Sequence, residues 1–465
     1  MTYDVLITRE YCFKSPENRN KCSNLQKTYK YRTMILNIVI ENYRSFKNKT
    51  VFTMIAESSK SKEQNTFIQP ILNEDPVRLL NTAIIYGPNG SGKTNFLRSV
   101  FDIVNFISTN NKVGEEIKRY SPFILNNSDF KEPLKFKIEF IGKDNVRYSY
   151  ELAFNNQDIL EESLYYFPLG KSRLLFERIP NSNLGPQIHT VKLGSDVKKK
   201  DIDVFNNQTI LFKFGTDIPD PIISEAYVYL SKIEVINACN TRKVSSLKNE
   251  VAEMIISNSV LKKKMDELIY HADTGINTIS VKETDERKIA FPENTPENIK
   301  MMVLNDYKYQ VSGQHNVYNV DNQIIDKINL PIEQESHGTR TLFSLGGKIL
   351  QSLETGTPIF IDEIDTGLHT YLAKMLMSLY QNKRINSKNA QLVFTTHDTN
   401  LLDRTFFRKD QVWFVEKNEY GVSELYSLQD FSDVREDTPF DKWYLSGKLG
   451  AIPNLKSLES LFMDE

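Results

Sequence analysis

The stretch Gly87-Pro88-Asn89-Gly90-Ser91-Gly92-Lys93-Thr94 fits the pattern GxxxxGK(S/T) at every fixed position. Glycines at these places let backbone N–H groups curl around phosphate oxygens, and a helix that starts here points its positive end at them. Lys93 is expected to reach the β- and γ-phosphates, and the Thr94 hydroxyl to ligate Mg²⁺. The flanks supply the context that a chance glycine-rich turn lacks. Thr82–Tyr86 is a short β-rich run that enters the loop. Phe96, Leu97, Val100, Ile103, Val104 and Ile107 then recur at helical spacing. Strand, glycine loop and helix together point to ATP.

A second element carries acids. Thr357-Pro358-Ile359-Phe360-Ile361-Asp362-Glu363 is an apolar run ending in two carboxylates, and ligands of α/β sheets lie at the C-terminal ends of strands. Adjacent acids at a strand end are ordinary turn chemistry by themselves. Beside a phosphate loop they acquire roles: Asp362 completes the Mg²⁺ shell, and Glu363 activates the attacking water as a general base. Lys93 and Asp362 stand roughly 270 residues apart, far more than in small switch-type phosphate-loop proteins. A large insertion must therefore separate the nucleotide-binding strands.

Working outward, Ile35–Ile40 and the run up to residue 55 read as two strands around a turn at Asn42–Asn48. Leu134, Phe136, Ile138 and Phe140 alternate with polar residues, as do Tyr148, Tyr150, Leu152 and Phe154. This predicts an antiparallel sheet. Pro219 and Pro221 mark a break. Helical periodicity follows from about Leu247 to Tyr270, without the sustained heptads of a coiled coil. Its charge run Lys262–Lys264 reads as a solvated helix face. From Glu335 onward the pattern is helix, strand, helix, strand, with Leu392–Thr395 a buried strand ending at His397. Helix-linked buried strands imply a parallel core. The expected division is a loose extension at 1–33, the first part of a nucleotide-binding head with a β lobe at 34–216, a helical insertion at 217–310, and the second part of the head at 311–465.

Composition excludes several classes. With 58 Lys+Arg against 60 Asp+Glu, the chain of 465 residues has a formal net charge of −2, so it is not basic overall in the manner of a nucleic-acid glove. No apolar run reaches membrane-helix length, and no secretory leader is evident. The three cysteines, Cys12, Cys22 and Cys239, form neither a CxxC pair nor a disulfide framework, which suits a reducing cytoplasm. Residues 1–33 are polar and aperiodic and read as a loose extension ahead of Met34.

Glu335-Ser336-His337-Gly338-Thr339-Arg340 precedes a helix, and alone it would be read as a helix cap. A phosphate loop, a long insertion, this Ser/Gly segment, an acid-bearing strand and a strand ending in His together resemble the ABC-type ATPase head of RecF and SMC proteins. The fold so implied is α/β, a P-loop ABC-type ATPase head with an antiparallel β lobe and a helical insertion. The resemblance makes Ser336, Gly338 and Thr339 a signature that contacts nucleotide in trans. It makes Asp365, with Thr366-Gly367, a D-loop, and His397 a switch histidine near the γ-phosphate. Asn42-Tyr43-Arg44-Ser45-Phe46 is similar to the opening of RecF/SMC-like heads, which would bring Arg44 to the nucleotide. The segments around Ser336, Asp362 and His397, with Gly450-Ala451-Ile452-Pro453, further resemble bacterial "AAA family" defence ATPases of the RloA, AbiLi and AriA type, related to the ATPase half of OLD nucleases. That resemblance spans about 35–460, strong at the motifs and weak across 155–300. Two departures stand out. About 65 residues follow His397, fewer than a Toprim nuclease domain takes. The signature keeps only a Ser-x-Gly core.

The resemblance implies an ATPase switch, with ATP and Mg²⁺ as cofactors, in a bacterial anti-phage, abortive-infection system. Its copies would form a dimer or a higher even-numbered homo-oligomer through composite ATP sites. Its partner would be a separately encoded effector, a toxin or a nuclease, with DNA or a phage protein as candidate trigger and no membrane involved. A RecF-like DNA-binding repair ATPase is the alternative, against which the near-neutral charge counts. A nuclease in its own right is a third reading, and no further acid cluster supports it.

Overall fold

The computed structural model describes residues 33–454 except 127–131, 181–186, 199–201, 238–240, 286–288, 290, 293 and 436, and only the backbone of 241–245. The expected extension before Thr33 and all three cysteines lie outside the described residues.

The chain opens with β1 (Met34–Glu41) and β2 (Thr50–Thr53), antiparallel around a tight turn. A two-stranded ribbon, β3 (Thr66–Ile71) and β4 (Glu74–Leu80), leads into β5 (Thr82–Tyr86) and then α1 (Lys93–Ile107). Six strands follow: β6 (Leu134–Ile141), β7 (Arg147–Phe154), β8 (Ile159–Tyr166), β9 (Arg173–Ile179), β10 (Ile188–Leu193) and β11 (Asp203–Phe205). They join β1 and β2 in one antiparallel sheet of order β11-β10-β9-β8-β7-β6-β1-β2. In β6 the burial alternates residue by residue, as the period-two pattern requires.

Two helices, α2 (Ile210–Thr216) and α3 (Pro221–Ser231), lead to a short strand, β12 (Glu234–Asn237). Beyond it lie α4 (Thr241–Ser257), α5 (Ser259–His271), β13 (Thr278–Glu283), α6 (Glu297–Asp306), β14 (Tyr309–Tyr318) and β15 (Ile324–Pro331). The last part holds α7 (His337–Thr355), β16 (Ile359–Asp362), α8 (Thr370–Gln381), β17 (Leu392–Thr395), β18 (Val412–Lys417), β19 (Ser423–Ser427) and α9 (Phe440–Leu445).

The core sheet has order β12-β16-β17-β5-β18-β19, parallel except for β19. Every residue of β5, β16 and β17 is buried, as expected of strands covered on both faces. Alternate residues serve two different cores. Ile85, Phe360 and Val393 pack with α1 residues Phe96, Leu97 and Val100 against the antiparallel lobe. Ile84, Tyr86, Ile359 and Ile361 face the opposite core with α4, α5, α7 and α8.

The stretch expected to be a helical insertion carries more than helices. β12 is a strand of the core sheet, paired in parallel with β16, and β13 and β14 belong to a separate three-stranded sheet with β15. Only Val235 and Ile236 of its four residues are apolar, so tertiary pairing rather than local pattern makes Glu234–Asn237 a strand. The helical periodicity from 247 to 270 is two helices. Asn258 separates them, its Oδ1 accepting from the N–H groups of Val260 and Leu261 at 3.1 Å each to cap α5. The Lys262–Lys264 run is spent on ion pairs with Asp266, Glu267 and Glu354.

One buried side chain fastens the two large sheets together. Gln391, fully buried just before β17, accepts from Ile35 N–H at 2.7 Å and donates to Ile35 O at 3.1 Å and Leu80 O at 3.3 Å. Gln391→Leu preserves volume but strands these backbone groups. It is expected to cost about 3 kcal/mol, measured as the shift in chemical-denaturation midpoint. A loss below about 0.5 kcal/mol would show that the sheets are held by apolar packing alone.

Candidate functional site

The Gly87–Thr94 loop leaves the C-terminal end of β5 and closes at the first turn of α1. Lys93, 5% exposed, folds its ammonium back to donate to Gly87 O at 2.7 Å and Pro88 O at 3.1 Å. Gly92 sits at φ 119, and a Cβ there would come within 2.5 Å of Ser423 Oγ and 2.9 Å of Ser45 Oγ. Only glycine meets both conditions. Gly87, Pro88, Asn89, Gly90 and Ser91 form the rest of the turn, and Ser423 Oγ braces it by donating to Ser91 O at 2.5 Å.

Asp362 ends β16, which is not the neighbour of β5: β17 lies between them. Asp362 is 4% exposed. Its Oδ1 accepts from Thr395 Oγ at 2.7 Å, its Oδ2 accepts from Asn237 Nδ2 at 3.1 Å, and Thr94 also hydrogen-bonds to it. Burial pushes this carboxyl upward and Glu363 adds to the rise, against the pull of Thr395, Thr94 and Lys93. The structure thus joins Thr94 and Asp362, far apart in sequence, through their side chains.

Glu363 adopts φ 53, a left-handed conformation that costs a non-glycine residue on the order of 1 kcal/mol. Its N–H donates to Thr395 Oγ at 2.8 Å, and its Oε1 lies 3.3 Å from His397 Nε2. Thr395 therefore holds both acids of the pair, and His397 meets the second. The turn continues through Asp365, whose Oδ1 is buried without a hydrogen-bond partner.

Ser336, Gly338 and Thr339 stand elsewhere in the chain. Ser336 Oγ caps α7 by accepting from Thr339 N–H at 3.1 Å, and a Cβ on Gly338 would lie 2.8 Å from Gly367 O. Among the described residues, these three share no hydrogen bond with the Gly87–Thr94 loop. Gly338 and His337 pack on Gly367, in the turn that follows Asp365. Lys348 of α7, 5% exposed, pairs with Glu234 at 2.7 Å and Glu250 at 2.6 Å, so the signature helix is pinned to β12.

The opening turn is held against the loop. Tyr43 OH donates to Asp102 Oδ2 on α1 at 2.6 Å, and Asn95 Nδ2 donates to Ser45 Oγ at 2.8 Å. Arg44 takes φ 50, with its Nε buried and donating to no group. Thr395, Asn237, Ser45 and Ser423 all escaped the sequence reading. The Asn42–Phe46 motif pointed near Ser45, and nothing local marked the other three.

The donor set suits a hard divalent cation. Thr94 supplies a hydroxyl and Asp362 a carboxylate, and among the described residues no group of three or more His, Cys, Asp or Glu could hold a metal by itself. Two oxygens from protein fit Mg²⁺, which keeps waters and takes phosphate oxygens.

A family model described as "AAA domain, putative AbiEii toxin, Type IV TA system" matches residues 83–189 and 257–403, more than half of the chain, and the chain belongs to that family. Membership implies nucleotide binding. Similar solved structures include the SMC head domain from Thermotoga maritima, with 11% identity and a TM-score of 0.37. They also include the recombination mediator protein RecF-ATPrS in the RecFOR pathway, with 11% identity and a TM-score of 0.35. Each comparison covers 85% of this chain and 98% of the other. No curated protein matches the chain. Among the described residues, no helix is long and apolar enough to cross a membrane.

Burial pushes the Lys93 ammonium down to about 8, against the pull of Glu363, Asp362 and Asp365. Between that value and the ordinary 10.5, the folded chain holds fewer protons than the unfolded one, so this group's contribution to stability rises with pH across the window. A polyphosphate against the ammonium favours its charged form. ATP binding near about pH 8.5 is therefore expected to take up protons, and its calorimetric enthalpy should depend on the buffer's ionisation enthalpy. Uptake of the same size in Lys93→Met would assign the proton to another group.

Proposed function

We propose that this member of the AAA-domain family binds and hydrolyses ATP as the switch subunit of a bacterial anti-phage, abortive-infection system. The observation that carries the ATPase reading is the chain of hydrogen bonds from Thr94 to Asp362 and Thr395, on to the Glu363 N–H, and from the Glu363 carboxylate to His397. In this reading the loop N–H groups and Lys93 hold the phosphates, and Arg44 approaches the nucleotide from the opening turn. Thr94 and Asp362 hold Mg²⁺, which neutralises charge on the phosphate oxygens. Glu363, fixed by its left-handed backbone and by Thr395, takes the proton of the attacking water. His397 orients that carboxylate and sits beside the terminal phosphate.

The site so built is one face. Ser336, Gly338 and Thr339 share no hydrogen bond with the loop of their own chain, Gly338 packs on Gly367, and the three suit the opposite face in a neighbouring copy, with Asp365 at the seam. The assembly is then a dimer or a higher even-numbered homo-oligomer whose closure on ATP is the signal. The toxin–antitoxin wording of the family description supports a separately encoded effector as the partner, a toxin or nuclease released or restrained by hydrolysis, with DNA or a phage protein as the trigger. A cytoplasmic setting follows from that role.

Glu363→Gln is expected to keep ATP affinity within about twofold and to lower turnover by about 10²-fold or more. Turnover at the wild-type rate would remove Glu363 from the chemistry. The composite site has a separate test in mixed assemblies of Lys93→Ala and Ser336→Arg chains. Each variant alone should be inactive. Random pairing restores one intact site in half of the dimers, or about a quarter of wild-type activity. No recovery in the mixture, with mixed dimers verified by mass, would mean that each chain completes its own site.

A further inference from the structure

We infer that Leu125 and Tyr420 form the surface that holds the nucleobase of the bound nucleotide. This rests on the ATP reading above and adds to it a base-holding element that no sequence motif marks.

The strand order sets the direction in which a nucleotide must lie. On one side of β5 stand β17 and β16, whose ends carry His397, Asp362 and Glu363. These groups take the terminal phosphate, so the nucleoside lies on the other side, over β18 and β19. Neighbouring strands are about 4.8 Å apart, which puts β19 about 10 Å from β5, a distance comparable to the reach from phosphate chain to base.

The β18–β19 connection abuts the phosphate loop on that side. Ser423 N–H donates to Ser45 O at 2.7 Å, and Ser423 Oγ donates to Ser91 O. The connection is rigid: Asn418 Oδ1 accepts from both Tyr420 N–H and Val422 N–H at 3.0 Å. Its tip, Tyr420-Gly421, meets a second loop. Leu125 Cδ1 lies 2.3 Å from the place a Cβ on Gly421 would occupy, so Gly421, at φ 78, makes room for it. That second loop is fastened to the opening turn, with Phe123 N–H donating to Asn42 Oδ1 at 3.1 Å and Arg44 N–H to Ser121 O at 2.8 Å.

Two anchored loops thus present Leu125, 68% exposed, and Tyr420, 72% exposed. Exposed apolar side chains on segments this firmly held mark a contact surface. An aliphatic and an aromatic face suit the flat face of a base. The occupant is a nucleobase because the surface continues directly from the loop that takes the phosphates.

The test is calorimetric titration of the full chain with ATP and with inorganic tripolyphosphate, both with Mg²⁺. Tripolyphosphate carries the phosphates without the base. Leu125→Ser and Tyr420→Ala, both surface changes, are expected to raise the ATP Kd about tenfold and to leave the tripolyphosphate Kd within about twofold. Unchanged ATP affinity in both variants overturns the inference, as does equal weakening of both ligands. Wild-type protein that binds tripolyphosphate as tightly as ATP also overturns it while sparing the phosphate loop. Wild-type protein that binds neither ligand overturns the ATP reading and this inference together.

Discussion

The Thr395 hydroxyl is the interaction on which the acidic half of the site depends. It has one proton and two lone pairs, and it uses them on consecutive residues of another strand: it donates to the Asp362 carboxylate and accepts from the Glu363 N–H. Asp362 is nearly out of water and its carboxyl is pushed upward by burial. A donor hydrogen bond at that point offsets part of the desolvation and favours the charged form that a divalent cation needs. The second bond fixes the peptide after Asp362 in a left-handed turn, which swings Glu363 toward His397. Both bonds follow from one pairing: β17 runs parallel to β16, which sets Thr395 beside Asp362 and the residue after it.

The same carboxylate is tied to the far side of the molecule. Asn237 at the end of β12 donates to Asp362, and Glu234 at the start of β12 pairs with Lys348 on α7. Lys348 is buried, and burial alone would lower its ammonium. Two carboxylates, Glu234 and Glu250, outweigh that and raise it instead. A charge so paired resists sliding, because separating either partner leaves an ion out of water. β12 therefore acts as a short rod between the Asp362 carboxylate and the helix that Ser336 caps, which gives that helix a fixed position relative to the Gly87–Thr94 loop.

Much of this architecture was legible in the sequence, and the limit was physical. β5, α1, β16 and β17 announced themselves because continuous apolar runs or helical periods are visible in a single chain, and because phosphate chemistry demands glycines at set spacing. Thr94, Asp362, Glu363 and His397 could be singled out from motifs, and the fold links them in one hydrogen-bonded chain that passes through Thr395 and the Glu363 N–H. Thr395 could not be singled out, since a threonine at a strand end is ordinary until the register of a partner strand is known. β12 was invisible because its four residues owe their strand conformation to pairing with β16. Ser45 and Ser423 owe their importance to the space above Gly92, which no local pattern encodes.

The phosphate loop is itself a long-range construction. Ser423 braces Ser91 from more than three hundred residues away, Ser45 and Tyr43 reach α1 from the opening turn, and Gln391 locks the first strand to the core sheet. Such contacts form only when both ends of the chain are in place, because loop closure over these separations must precede any gain from them. The loop conformation is thus a property of the whole head, not of its eight residues. A ligand that binds this conformation and not the unfolded chain stabilises every element that braces it. The same contacts run from the loop to β1 and to β19, and Asp362 continues them by way of β12 and Lys348 to α7.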